Sequence, residues 1–213
     1  MGNESPSQLT PVQIMLSPSK VTAWSSCEHY LSLETLRQID EGGSSENVGW
    51  LAFSDDVSEP PSGFLEMLRR KGDFHERRCL EAYKAHFGDG VLLVPNPEKD
   101  DTWDTWIEKI DELKPFEIDQ KTGQAKYEVI FQMPFMHQGM RGIADFLIKK
   151  EKVDSNGKII GFTYEPVDSK LARSNASKSH LLQLLFYAEA LEAKTDLPLP
   201  DNVHIALGKA IPR

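Results

Sequence analysis

The spacing of apolar residues predicts helices in the first half of the chain and mainly strands in the second half. Residues 102–113 place apolar side chains three and four positions apart, which is the period of an amphipathic helix. Three later segments are instead rich in β-branched and aromatic residues and are separated by short turns: 126–136, 142–153 and 158–171. Helical spacing returns over 177–193, and residues 202–208 indicate a last short strand.

This order of helix, three strands, helix and strand predicts an α/β domain with a mixed sheet. Two earlier helices are expected as well. The first begins at about residue 17, where serines are available as caps. The second is predicted from about 74 to 87, because a short helical run breaks at Gly72 and because Asp73 and Glu76 have the spacing of a capping box.

The N-terminal residues predict a tail followed by one domain. Residues 1–16 are rich in Ser, Pro, Gln and Asn and read as a flexible tail, and residues 17–213 form the domain. Gly, Ser and Pro punctuate residues 41–62, which predicts a loop. Because the N-terminus lacks the basic and apolar layout of a secretion signal, we expect a cytoplasmic protein.

Composition narrows the class of protein without fixing its partner. The chain has 213 residues, of which 39% are apolar and 27% charged, as in ordinary globular domains. The net charge of −9 divides unevenly: residues 1–120 carry 11 basic and 23 acidic residues, and residues 121–213 carry 13 and 10. A nucleic-acid partner is therefore not excluded. Cys27 and Cys79 are too few for a disulfide framework, and we expect both to be reduced and mostly buried.

Candidate chemistry begins with three residues on neighbouring predicted strands. Asp168 and Lys170 are two positions apart, so their side chains leave the same face of one strand. Asp145 interrupts a strongly apolar strand, where a carboxylate is costly unless a cation or hydrogen bonds compensate it. Two carboxylates and a lysine could serve a hard divalent cation. A surface ion pair and an outward-facing aspartate are the alternatives for these residues.

Two helices add polar residues with weaker signals. On the helix over 177–193, His180, Gln183 and Tyr187 fall within a sector of about 60° at roughly 100° per residue. That row lies beside an apolar stripe, as expected for a helix that lines a site, although a boundary row without function shows the same pattern. His75 lies near the start of its predicted helix, where a histidine is either a ligand or a boundary residue.

In combination, these segments resemble the PD-(D/E)XK nuclease superfamily, and more closely its RecB-like branch. The matching stretches are "GDFHERRCLEAY", "RGIADFL", "YEPVDSKLA" and "LLQLLFYAEAL", in the family's order. The resemblance extends over about residues 17 to 208. It implies a restriction-endonuclease-like core, with a central mixed sheet flanked by helices. Family members often continue into further domains, which leaves open that the chain is a piece of a longer protein.

The resemblance also implies roles for individual residues. The metal ligands would be the side chains of His75, Asp145 and Asp168 and the backbone carbonyl of Val167. Lys170 would position the attacking water and stabilise the transition state, and Gln183 and Tyr187 would contact the substrate or orient the catalytic groups. Among the basic residues around the site strands, we expect two to contact nucleic acid: Arg173 and Lys178.

The implied activity is hydrolysis of phosphodiester bonds with Mg²⁺ or Mn²⁺, on DNA and exonucleolytic on single strands or ends. Some RecB-like relatives hold an iron–sulfur cluster, but no cysteine follows Cys79, so we expect none within this chain. A helicase or further domains of the same protein are candidate partners. The alternatives are an RNase and a non-catalytic nucleic-acid-binding or assembly module on the same fold. The set of Asp145, Asp168 and Lys170 argues against the module.

Overall fold

Five strands form one mixed sheet in the computed structural model, which describes residues 16–27, 29, 62–119, 122–171 and 178–208. The strands are β1 (Val91–Leu93), β2 (Val129–His137), β3 (Met140–Val153), β4 (Ile159–Lys170) and β5 (His204–Leu207). They lie side by side in sequence order. The central strands β2, β3 and β4 are antiparallel, whereas β1 and β5 join the two edges in parallel.

Within these described residues, four α-helices accompany the sheet: α1 (Pro18–Ser26), α2 (Ser62–Phe87), α3 (Trp103–Glu112) and α4 (Lys178–Lys194). Thr102 caps α3, and its hydroxyl and that of Thr105 form a reciprocal capping box. This helix matches the predicted segment. The predicted order of helix, three strands, helix and strand is likewise confirmed, and the molecule is an α/β protein with a mixed sheet.

Side-chain alternation along the strands divides the core between the two faces of the sheet. On one face, Val167 and Phe146 pack with Leu80 of α2. On the other face, Tyr164 packs in a larger cluster that includes Leu191 of α4. Successive residues of β4 therefore point alternately towards α2 and towards α4, so even positions such as 168 and 170 share the α4 face.

Helix α2 corrects the prediction for this region. It runs without interruption from Ser62 through Gly72 to Phe87, so the break at Gly72 and the helix start at Phe74 were wrong. An interior glycine costs a helix only about 1 kcal/mol, and the packed C-terminal half of α2 offsets that cost. Glu76 consequently lies inside the helix, where its carboxylate accepts a hydrogen bond from the side chain of Gln132.

Two further expectations need correction or completion. Strand β1 was not predicted, because three residues are too short to show a period. Both cysteines are free, but Cys27 is exposed and Cys79 is only partly buried, so the expectation of buried thiols was wrong.

Two predicted segments lie almost entirely outside the described residues. Of the predicted tail, only Leu16 is described, and of the predicted loop over 41–62, only Ser62. Among the described helices, none combines the length and apolar character needed to cross a membrane.

Candidate functional site

The pairing of β3 with β4 brings two of the predicted carboxylates together. Phe146 pairs with Val167 in this antiparallel ladder, so Asp145 and Asp168 occupy the next opposed position. Side chains opposed in this way share a face of the sheet, with Cβ atoms about 4.5–5.5 Å apart. The two carboxyl groups lie within hydrogen-bonding reach of each other, and Asp168 is 1% exposed.

The neighbours of these carboxylates satisfy only part of their hydrogen-bonding capacity. The backbone N–H of Ser169 donates to Oδ2 of Asp145 at 2.7 Å. Lys170 Nζ lies 2.9 Å from Oδ1 of Asp168. Oδ2 of Asp168 is buried and has no hydrogen-bond partner among the described residues. A buried oxygen without a hydrogen-bond partner lowers the free energy of unfolding, and a proton or a bound cation would supply the missing partner.

The surroundings raise the pKa values of three carboxyl groups. Burial, with a smaller contribution from Asp168, raises the pKa of Asp145 to about 6. Burial also raises the pKa of Asp168, although Lys170 opposes that shift. The pKa of Glu76 is raised by burial and then by the charge of Asp145. All three shifts mean that the surroundings disfavour the ionised carboxyl groups, so a cation bound beside them would stabilise their ionised forms.

Glu76 and Gln132 were missed by sequence reasoning. Gln132 lies opposite Asp145 in the β2–β3 ladder, between the pairs Phe131–Phe146 and Met133–Ala144. Its φ of 63° is unusual for a residue other than glycine, and its side-chain amide donates to Glu76. This contact joins α2 to β2 beside Asp145, and it brings the carboxyl group of Glu76 near that of Asp145.

Each of the two missed residues left a signal in the sequence. Glu76 precedes Leu80 and Tyr83 by four and seven positions, so it belongs to the stripe that α2 buries. Gln132 interrupts the apolar run of its strand. The spacing of Asp73 and Glu76 indicated a capping box instead, which assigned the carboxylate of Glu76 to the start of a helix.

Helix α4 places Gln183 and Tyr187 beside Asp168, and their roles at the site stay a prediction. Gln183 Nε2 lies 3.5 Å from Oδ1 of Asp168 and 3.4 Å from the hydroxyl of Tyr187, both at the outer limit of a hydrogen bond. Tyr187 also accepts a hydrogen bond from the backbone N–H of Ile143, and burial raises the pKa of its hydroxyl. Tyr187 is therefore a neutral, fixed anchor for Gln183.

Gly142 makes room for that anchor. A Cβ atom at this position would lie 2.9 Å from the hydroxyl oxygen of Tyr187 and 3.2 Å from Cδ of Pro18. Real side chains do not approach this closely, so only glycine lets β3 pass beneath Tyr187 without a shift. The glycine of the "RGIADFL" segment is thus required by close packing among β3, α1 and α4.

His75 was predicted as a metal ligand, and the structure places it at β5. Its Nε2 lies 2.9 Å from the carbonyl oxygen of Ala206. Because a carbonyl oxygen only accepts, Nε2 carries the proton and only Nδ1 keeps a lone pair. The structure does not bring His75 into one ligand group with Asp145 and Asp168. Its role in metal binding stays a prediction.

The remaining predicted residues are placed less completely. Val167 pairs with Phe146 on one side and with His204 on the other, and the role of its carbonyl as a ligand stays a prediction. Arg173 lies outside the described residues. Lys178 is the first residue of α4, but its side chain lies outside them too. Contact of either residue with nucleic acid stays a prediction.

The donors at the site fit a hard divalent cation. Asp145 and Asp168 offer carboxylate oxygens, and one oxygen of Asp168 is buried without a partner. Within the part of the chain that the structure describes, no three His, Cys, Asp or Glu side chains are arranged to hold a metal ion. Mg²⁺ often needs fewer, since it keeps several waters and is bound through one or two carboxylates.

Glu165 belongs to the opposite face of β4, as its position three residues before Asp168 predicts. Its carboxylate accepts a hydrogen bond from Asn202 at 3.1 Å and lies 2.6 Å from Nε2 of His204. These contacts attach β5 to β4. Glu165 is therefore a structural residue of the sheet edge and lies apart from the carboxylate pair.

Comparison with known proteins did not yield a relative. No protein-family model, no curated protein and no solved structure matches the chain. The geometry of the site and the motifs in the sequence are therefore what points to a function.

Proposed function

We propose that this protein is a metal-dependent nuclease of the RecB-like kind, built on a restriction-endonuclease-like core and located in the cytoplasm. It hydrolyses phosphodiester bonds in DNA and acts as an exonuclease on single strands or ends. The observation that carries the proposal is the gathering of Asp145, Asp168 and Lys170 at one point of the sheet, with a carboxylate oxygen of Asp168 left without a partner among the described residues. The sequence motifs supply the class of reaction.

The two aspartates would hold Mg²⁺ or Mn²⁺, which in this chemistry polarises the phosphoryl oxygen and lowers the pKa of a bound water. Ser169 fixes Asp145 through its backbone N–H, so that carboxylate is oriented before any cation arrives. Asp168 is oriented by Lys170 and by Gln183, whose side chains both approach the same oxygen. The protein therefore preorganises its ligands, which reduces the reorganisation needed at the moment of reaction.

Lys170 provides the positive charge of the site. Its side chain is 31% exposed, whereas Asp168 beside it is 1% exposed, so the ammonium lies between the buried carboxylates and solvent. From this position it can offset negative charge that develops on the scissile phosphate. Gln183 and Tyr187 would hold Asp168 in place or contact the sugar–phosphate backbone.

A non-catalytic binding module on the same fold would have no use for buried carboxyl groups that lower its stability. Burial raises the pKa values of Asp145, Asp168 and Glu76, so their ionised forms lower the stability of the metal-free protein at neutral pH. Residues that lower stability are typical of active sites, where function compensates for the loss. This observation favours an enzyme over a binding module.

The proposal is tested by digestion of end-labelled linear single-stranded DNA, circular single-stranded DNA and RNA of the same sequence, with Mg²⁺, Mn²⁺ or EDTA. We expect linear DNA to be degraded with either metal, to be intact in EDTA, and circular DNA to be resistant. Lys170→Met should be inactive, and Lys158→Met, an exposed lysine before the other end of β4, should be fully active.

Full activity of Lys170→Met or of Asp168→Asn would contradict the proposal. Cleavage of circular DNA would replace the exonuclease with an endonuclease, and cleavage of RNA alone would make the enzyme an RNase. Absence of cleavage in every condition, with the protein folded, would favour the non-catalytic module.

A further inference from the structure

The outer face of α2 carries an exposed aromatic side chain among cations. Phe74 is 64% exposed, and the guanidinium carbon of Arg78 lies 6.0 Å from the centroid of its ring. Lys71, one turn earlier, is exposed too. We call Lys71, Phe74 and Arg78 the α2 ridge. It lies on the side of the helix opposite to Leu80 and Phe87, which face the sheet.

The positive charge of the α2 ridge is not neutralised by its neighbours. Arg70 pairs with Glu66 at 2.9 Å on the same helix. Lys71 and Arg78, in contrast, form no ion pair with any described residue. An anionic partner would therefore meet two available cations on either side of an exposed aromatic ring.

His75 lies between the α2 ridge and β5, the edge strand that pairs with β4. On a helix, residues three and four apart are neighbours, so Lys71 and Arg78 both flank His75. The ring of His75 donates to the carbonyl of Ala206, and Ala206 pairs with Ser169. Ser169 lies between the catalytic residues of β4. A strand bound at the carboxylate pair would have to turn round the β5 edge of the sheet, where His75 is attached, to reach the α2 ridge.

We propose that the α2 ridge binds single-stranded nucleic acid that extends from the active site. Lys71 and Arg78 neutralise phosphates, and a base stacks on the ring of Phe74. Aromatic rings between cations are a general means of binding single strands, because every base offers a flat face. The inference rests on the proposed function, since it treats the bound strand as the substrate of the carboxylate site.

The test measures binding separately from cleavage. In a Lys170→Met background, the affinity for a fluorescein-labelled oligothymidylate is followed by fluorescence anisotropy over a series of salt concentrations. The strand has about 20 nucleotides, more than the roughly 4–16 that one single-strand-binding domain covers. Phe74→Ala should weaken binding by about 5-fold to 100-fold, the loss typical of one stacked base. Lys71→Ala combined with Arg78→Ala should lower the slope of log affinity against log salt by about 1.4, or ~0.7 for each lost contact.

Two matched controls lie at the opposite end of the sheet. Ile160→Ala removes an exposed apolar side chain at the start of β4, and Lys158→Ala removes an exposed cation just before that strand. Neither control should change the affinity or its salt dependence. All variants should keep the melting temperature of the parent, because each residue is exposed.

The possible outcomes separate the two proposals. If the parent binds the oligonucleotide and the wild type cleaves DNA, but the ridge variants bind as the controls do, the α2 ridge is not a binding surface and the nuclease proposal stands. A parallel assay with phosphatidylserine vesicles tests a membrane surface as the anionic partner of the α2 ridge. The ridge proposal is likewise overturned if Phe74→Ala abolishes binding to these vesicles and leaves oligonucleotide binding unchanged. If the parent binds no strand and the wild type cleaves none, the nuclease proposal fails and the ridge fails with it.

Discussion

Replacing Asp145 with asparagine should stabilise the metal-free protein while it removes the proposed activity. Burial raises the pKa of Asp145 from 3.8 to about 6, which corresponds to about 3 kcal/mol at neutral pH, at ~1.4 kcal/mol for each pKa unit. Asparagine has nearly the same shape, and its carbonyl oxygen can still accept the hydrogen bond from Ser169. The variant therefore loses the buried charge and keeps the contact.

The sign of the pH dependence follows from the raised pKa. Between about pH 4 and pH 6 the folded protein holds a proton that the unfolded chain has released, so the free energy of unfolding falls as pH rises and stays low above pH 6. In Asp145→Asn this contribution disappears. Asp168 and Glu76 also have raised pKa values, so the variant should keep a smaller decline of the same sign.

Urea denaturation in EDTA at about pH 5 and about pH 8 measures both effects, since the midpoint reports stability when the slope is unchanged. At the higher pH the midpoint of Asp145→Asn should exceed that of the wild type, and its change with pH should be smaller. When EDTA is replaced by Mn²⁺, the midpoint of the wild type should rise and that of Asp145→Asn should not. Asp196→Asn, at an exposed carboxylate, is the matched control and should behave as wild type. A midpoint for Asp145→Asn at or below that of the wild type at pH 8 would refute the reasoning.

Three further variants test the surroundings of the carboxylate pair. Gly142→Ala should lower the free energy of unfolding by about 1–3 kcal/mol, because its Cβ atom would clash with Tyr187. In urea denaturation, the double variant with Tyr187→Phe should recover part of this loss. An unchanged midpoint in Gly142→Ala would argue against the clash. Lys170→Met should keep its fold but lose about 10²–10³ in turnover, and its melting temperature at neutral pH should fall because Asp168 loses its ion pair. Full nuclease activity beside an inactive Asp168→Ala would show that the motif is coincidental. Gln183→Ala should reduce turnover or substrate affinity with little change in melting temperature, whereas a drop of several degrees with intact activity would make Gln183 structural.

The strands other than β1 could be predicted from the sequence, because β-branched and aromatic residues mark the segments that the sheet buries. The structure starts and ends β3 and β4 within two residues of the predicted segments. The start of α2 could not be predicted in the same way. The spacing of Asp73 and Glu76 satisfies a local rule for a helix start, but the helix is extended by 11 residues before Asp73, from Ser62 onwards. Local signals do not report whether the preceding segment is already helical.

The candidate site was predictable in part for a related reason. Alternation along β4 predicts that Asp168 and Lys170 share a face. That Asp145 lies directly across from Asp168 depends on the register of the ladder, which the sequence does not state. Glu76 of α2 and Gln132 of β2 are 56 positions apart in the chain, and no local sequence pattern connects them. Pairing over such a distance is a property of the assembled sheet.

The hydrogen bond between His75 and Ala206 has a consequence for the order of folding. The two residues are 131 positions apart, whereas the ladders of β2, β3 and β4 close over short turns. Contacts between distant positions carry a larger loop-closure cost and form late, after the local hairpins. During synthesis, α2 and the β2–β4 meander emerge well before β5 exists to receive the histidine. The imidazole of His75 therefore acquires its fixed tautomer only when the last strand has joined the sheet, so the nascent chain carries the carboxylate pair before the histidine is fixed beside β5.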